Sequence, residues 1–267
     1  MKTLIVGGGN MGKSFARSFL DAHILRPNDL TVLEKNESNC KDLETMGFSA
    51  VYRIPDNYIS NVSLIVLAVK PQDCHLVFET LKPFINSDHV ILSIMAGVKL
   101  ETIEKGLDTK KVVRSMPNLP TQIGMGMTAF TANEEVNRKE LIAVQNLLST
   151  TGKAIYFDDE NMIDAATAIS GSGPAFVYYF MNSMMKAARK MGFSESQADL
   201  LVWQTFIGSL HLQNKNSLSC QEWINKVASK GGTTEAALKV FKANDIEDGI
   251  VEGLIAAFNR AEELGNK

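Results

Sequence analysis

The residues whose types and spacing suit chemistry begin with Gly7-Gly8-Gly9-Asn10-Met11-Gly12, which interrupts the apolar run Leu4-Ile5-Val6 and opens a helical pattern. Glycine at 7, 9 and 12 permits a tight turn, a close approach of backbone to a pyrophosphate, and packing of the new helix on the strand. The free N–H groups at the helix start then face the phosphates. Roughly twenty residues on, Glu34 closes a second apolar run, Leu30 to Leu33. A carboxylate there reaches a ribose 2′-hydroxyl, and Lys35 and Asn36 beside it would welcome a 2′-phosphate.

The same loop also satisfies the phosphate-loop pattern of triphosphatases, because Gly7 is followed by Gly12-Lys13-Ser14. Such an enzyme needs a further acid to hold magnesium. The later apolar runs end in Ala68-Val69-Lys70-Pro71 and Ser93-Ile94-Met95-Ala96-Gly97, neither of them acidic. Glu34 can imitate that acid, but the glycine at 9 and the spacing of Glu34 fit a dinucleotide more economically. Dinucleotide loop, triphosphate loop and plain glycine turn stand in that order.

Lys70-Pro71 reads equally as a solvated lysine before a proline at the first helical turn, or as a strand end touching the ribose or nicotinamide of a cofactor. The last cluster is Ser229-Lys230-Gly231-Gly232-Thr233-Thr234-Glu235, two glycines and two threonines leading into a short helix that ends near Phe241. It is either a capped helix after a Gly-Gly turn or a second anion cradle, in which exposed N–H groups favour a carboxylate by about 0.3–1 kcal/mol.

The elements that must position these residues alternate. Helical patterns over Met11 to Ala22, Asn39 to Met46 and Asn137 to Leu148 are interleaved with strand-like runs at Leu30 to Leu33, Val62 to Val69, Val90 to Ile94, Val112 to Arg114 and Gly124 to Thr131. This order predicts an α/β fold, a doubly wound parallel sheet of Rossmann type, with its ligand crevice beyond the carboxyl ends of the strands. Lys70, Ala96, Gly97 and Asn118 then share one rim, and the two prolines of Arg114 to Pro120 stiffen a loop leaving the sheet. After Phe157 the pattern is helical throughout, which divides the chain into 1–158 and 159–267. Ser170-Gly171-Ser172-Gly173-Pro174 reads as a flexible entrance to a helix ending at Gly192. That helix is apolar on every side from Ala175 to Met181, a surface for a partner subunit to cover. Ser194 and Gln197 spell a capping box for the helix Glu195 to about Leu212.

Composition bounds the function. The 267 residues are 45% hydrophobic and 21% charged, with a net charge of −3 and a pI near 5.9. That charge gives no basic field for nucleic acid or acidic membrane. The three cysteines and four histidines are scattered without ligand spacing, so neither a metal site nor a disulfide framework is expected. No stretch reaches the ~18–20 apolar residues that cross a bilayer. With a strand starting near Lys2 and no targeting segment visible, a cytoplasmic protein acting on a small molecule is expected.

Taken in order, Gly7 to Gly12, Ala68-Val69-Lys70-Pro71, Met95-Ala96-Gly97-Val98, Arg114-Ser115-Met116-Pro117-Asn118, Ser170-Gly171-Ser172-Gly173-Pro174-Ala175 and Gly231-Gly232-Thr233-Thr234 resemble the pyrroline-5-carboxylate reductase family. The resemblance spans nearly the whole chain, and the serine–glycine–proline block with the late Gly-Gly-Thr-Thr block is specific to it. It implies NADPH- or NADH-dependent reduction of the cyclic imine 1-pyrroline-5-carboxylate to L-proline, the last step of proline biosynthesis, by a homodimer or an oligomer of dimers. The C-terminal domain would be all-helical and dimerising. By the resemblance, Gly7, Gly9, Asn10, Met11 and Gly12 with Ala68, Val69, Lys70 and Ala96 lie along the dinucleotide. Gly231, Gly232, Thr233 and Thr234 hold the substrate carboxylate in a site completed across the dimer interface. Thr234 is the candidate proton relay to the ring nitrogen, in competition with solvent.

Two features depart from the family pattern: Lys230 stands where proline is usual, and Ser217 to Val227 is unlike its relatives. Glu34 hints at NADH, while Lys35 and Asn36 leave NADPH open. Beta-hydroxyacid dehydrogenases share the Gly-Asn-Met-Gly loop, but their catalytic lysine would fall at Val177. A related imine reductase, a triphosphatase and a non-catalytic dinucleotide sensor are the other readings.

Overall fold

A computed structural model describes residues 1–265, which form two compact units. The first runs from Met1 to Pro174 and takes in the chain again from Ala257; the second is Ala175–Ala256. The division at Pro174 falls later than the boundary read at 158.

The first unit is built on eight strands: β1 (Thr3–Val6), β2 (Leu30–Leu33), β3 (Val51–Tyr52), β4 (Leu64–Leu67), β5 (Val90–Ser93), β6 (Val112–Met116), β7 (Gly126–Ala132) and β8 (Gly152–Tyr156). Their order is β3-β2-β1-β4-β5-β6-β7-β8. All neighbours are parallel except β6 and β7, which run antiparallel. The first six strands thus follow the order 3-2-1-4-5-6 of doubly wound dinucleotide-binding sheets, with the switch point between β1 and β4.

Helices α1 (Asn10–Asp21), α2 (Glu37–Thr45), α3 (Cys74–Leu81), α4 (Leu100–Leu107) and α5 (Arg138–Ser149) join these strands. Side chains alternate across a strand, so the central strands feed two cores. Ile5, Leu64 and Val66 pack with Phe15, Phe19 and Leu147 on one face. Leu4, Val6, Ile65 and Leu67 pack with Phe78, Leu81 and Ile103 on the other. Each such buried side chain contributes about 1.5–3 kcal/mol, and together they hold the strand ends that carry the glycine loop.

Arg114 reads as the end of the strand-like run from Val112 and the start of a loop; the strand runs on to Met116. Arg114 is thus a buried β6 residue, 1% exposed, and binds Glu160 at 2.9 Å and Asp164 at 2.5 Å. Asp164 lies on α6 (Asn161–Ala166), and Glu160 also accepts from the Leu100 N–H at 2.9 Å. This cluster fastens α6 to the sheet. Ser170-Gly171 is likewise no flexible entrance: Thr167–Gly171 continues as a π-helix, fixed by the Asn118 amide donating to the Ser170 carbonyl at 3.1 Å. A Cβ on Gly171 would lie 2.7 Å from the Met116 methyl, the far end of a flexible side chain that can move aside.

The second unit is helical: the body of α7 (Gly173–Lys190), then α8 (Glu195–Asn214), α9 (Cys220–Val227), α10 (Thr233–Ala243) and the first part of α11 (Ile246–Gly265). The Ser194–Gln197 capping box is present. Helix α9 lies in the segment left unread in the sequence and starts with a second box, Ser219 with Glu222. The apolar face of α7 is bare in the single chain, with Tyr178 57% and Tyr179 69% exposed. Among the described residues, no helix is long and apolar enough to cross a membrane.

Candidate active site

The chain caps α2, α5, α8 and α9 with Asn36, Asn137, Ser194 and Ser219. Helices α1 and α10 start instead on Gly9 and Gly232, with no side-chain cap. Their first N–H groups are therefore available to an anion.

At α1 the approach is enforced by packing. Gly7 has φ +104°, and a Cβ on it would lie 2.7 Å from the Ala68 carbonyl oxygen. A Cβ on Gly12 would fall on the Gly7 carbonyl oxygen. Glycine at both positions lets the loop fold onto the end of β4, at the switch point. The adjoining cleft has a volume of about 390 Å³ and is lined by Gly7, Gly9, Glu34, Lys35, Asn36, Ala68, Val69 and Lys70 among the residues singled out from sequence. Apolar Pro55, Leu76 and Val77 supply a wall suited to the flat face of a purine.

Asn10, Met11, Gly12 and Ala96 do not line the cleft. Asn10 to Gly12 form the first turn of α1, whose N–H groups rather than side chains are the useful part. Met11 packs against the core. Ala96 is exposed on the turn after β5. Asn39, Arg53 and Asp73 line the cleft without having been foreseen; Asp73 stands at the start of α3 just past Lys70-Pro71, where spacing would have placed it.

Glu34, at the end of β2, is 7% exposed. Its Oε2 accepts from the Gly8 N–H at 2.7 Å and from the Asn39 amide at 3.2 Å, and its Oε1 accepts from the Asn36 N–H at 2.7 Å. The carboxylate therefore ties β2 to the glycine loop. It also pushes up the pKa of the buried Cys40 thiol, an effect second to burial itself.

The two residues that the triphosphate reading needs make local contacts instead. Lys13 is bound to Asp42 at 2.7 Å, and the Ser14 hydroxyl donates to the Asn10 carbonyl at 2.7 Å.

The Gly231 to Thr234 loop belongs to the second unit. Gly231 has φ +75°, and its N–H donates to Glu235 Oε2 at 2.6 Å. Thr233 and Thr234 form the first turn of α10, and Lys230 is exposed.

Strand order, glycine loop and strand-end carboxylate define a dinucleotide-binding α/β protein of Rossmann type. Residues 160–264 match the family model for pyrroline-5-carboxylate reductase dimerisation, and residues 2–97 match that for NADP oxidoreductase, coenzyme F420-dependent. Pyrroline-5-carboxylate reductase of Pseudomonas aeruginosa is 37% identical over 78% of this chain and 77% of its own. The solved pyrroline-5-carboxylate reductase of Coxiella burnetii is 31% identical, with a TM-score of 0.89 over 98% of both chains. The Plasmodium falciparum pyrroline carboxylate reductase, solved with NADP bound, is 27% identical, with a TM-score of 0.86 over 99% of this chain and 98% of that one. The chain belongs to the pyrroline-5-carboxylate reductase family.

Proposed function

We propose that this protein reduces 1-pyrroline-5-carboxylate to L-proline with NAD(P)H, completing proline biosynthesis. The observation that carries the reading is the pair of uncapped glycine-led helix starts: one sits at the switch point of a dinucleotide-binding sheet, the other in the family's Gly-Gly-Thr-Thr block.

The first N–H groups of α1 hold the diphosphate, and Glu34 marks the adenosine ribose. Ala68, Val69 and Lys70 lie towards the nicotinamide, with Ala96 on the next strand end. When bound, NAD(P)H supplies a hydride to the carbon of the C=N bond. Gly231, Gly232, Thr233 and Thr234 receive the substrate carboxylate, led by the N–H groups of Thr233 and Thr234, since that of Gly232 donates to the Ser229 carbonyl at 3.0 Å. The N–H of Gly231, taken by Glu235 in the free chain, is released for it. The Thr234 hydroxyl hydrogen-bonds the ring nitrogen, donating to the neutral imine and accepting from the N–H of the protonated one. A protonated imine is already electrophilic, so the work of these residues is orientation and exclusion of water.

The exposed aromatic face of α7 supports assembly through the second unit as a homodimer or an oligomer of dimers. With a net charge of −3 and three free cysteines, the partner is a small metabolite in the cytoplasm, with neither nucleic acid nor membrane involved. The test is an assay with 1-pyrroline-5-carboxylate and NADH or NADPH. The reading requires loss of absorbance at 340 nm (the reduced nicotinamide band) matched by L-proline formed. ATP or GTP turnover, or cofactor binding without imine reduction, would refute it.

A further inference from the structure

We propose that Glu34 makes this chain select NADH over NADPH. The inference rests on the dinucleotide reading of the cleft and goes beyond it to the ribose end of the cofactor.

A 2′-phosphate brings up to two negative charges and needs donors at the end of β2. In this chain the donors nearest the strand end are already taken. The carboxylate of Glu34 occupies the N–H groups of Gly8 and Asn36 and the side-chain amide of Asn39. The Asn36 side-chain oxygen caps α2, accepting from the Ser38 N–H at 2.9 Å, and its NH2 group stays a donor. The two cations beside it each face a carboxylate: Lys35 pairs with Asp73 at 3.8 Å, and Arg53 with Glu37 at 4.0 Å. These are loose, exposed pairs that salt screens. The buried carboxylate is different: three hydrogen bonds hold it in place, and no cation pairs with it among the described residues.

Glu34 thus stands in for the phosphate. It fills the donor set with a fixed negative charge while leaving lone pairs to accept from a 2′-hydroxyl. Selection comes from the repulsive element as much as from the attractive one.

The test is the binding of NADH and of NADPH to the unmodified protein without substrate, by calorimetry, followed by kcat/KM with each. NADH is expected to bind at least about tenfold tighter. Glu34→Gln keeps the side-chain shape and removes the charge. It should narrow the ratio about tenfold or more, chiefly by tightening NADPH. Asp73→Asn releases Lys35 and should improve NADPH by about two- to threefold. NADPH binding as tightly as NADH to the unmodified protein overturns the proposal, as does a folded Glu34→Gln variant with an unchanged ratio. If Glu34→Gln does not fold, the unmodified ratio and the Asp73→Asn response decide. Failure of both nucleotides to bind would instead refute the dinucleotide reading.

Discussion

The two glycine-led helix starts are built in opposite ways. At α1, glycine is demanded by the interior: side chains at Gly7 or Gly12 would collide with backbone, and Glu34 clamps the loop from a neighbouring strand. At α10 a Cβ on Gly231 would meet nothing within 4 Å and one on Gly232 would meet only Ser229 of the same loop, and the clamp is Glu235, an exposed-loop hydrogen bond to the helix's own first turn. The first mouth is held by the sheet's core. The second is held locally, in a unit whose largest apolar side chains lie open in the single chain. An anion site can be specified by packing or left to be completed by assembly, and the proposed function assigns the first to α1 and the second to α10.

The contrast can be broken at its strongest point first. Arg114→Ala strands the buried Asp164 carboxylate and the half-buried one of Glu160 and should cost the sheet unit about 3–5 kcal/mol, read as a fall in its denaturant midpoint; an unchanged midpoint would show that the Arg114 cluster does not brace the sheet. Gly12→Val should weaken NADH binding by about a hundredfold or more, roughly 2.7 kcal/mol, measured by calorimetry. Thr234→Ala, if the hydroxyl serves the ring nitrogen, should lower kcat by at least about tenfold with cofactor Kd unchanged; full turnover in a folded variant would remove Thr234 from the mechanism.

Gly231→Ala sharpens the comparison, because the site has room and only left-handed strain of about 1–2 kcal/mol opposes the change. The imine KM should rise by up to about tenfold while NADH affinity stays the same. A loss as large as that at Gly12 would show that the second loop is packed as tightly as the first.

The smallest effect is a pH dependence confined to the sheet unit. Burial lowers the pKa of His89 from 6.5, and its Nδ1 accepts from the Asn86 N–H at 3.1 Å. The unfolded chain then binds a proton that the folded one refuses. Stability is full above about pH 6.5 and falls as pH drops below it. His89→Gln should flatten the thermal midpoint between pH 5 and 7.

Much of the sheet could be read from apolar runs, and the glycine loop and Glu34 from spacing, because both signals are local. Strand β3, two residues long, and β8, half-buried with the sequence Gly-Lys-Ala-Ile-Tyr, were missed because neither makes an apolar run. The reversal at β7 was not read either. The ion pairs of Arg114 were not legible, because its partners lie 46 and 50 positions away. Helix α9 was legible: Ser219-Cys220-Gln221-Glu222 spells a capping box. What Glu34 binds was not, since two of its donors are backbone N–H groups aimed by dihedral angles that no residue type reveals.

The most direct test is a crystal structure of the assembled protein with NADH and L-proline bound. The account predicts the diphosphate on the N–H groups opening α1 and the proline carboxylate on those of Gly231 to Thr234. A carboxylate bound anywhere else, with residues 231–234 empty, would contradict it.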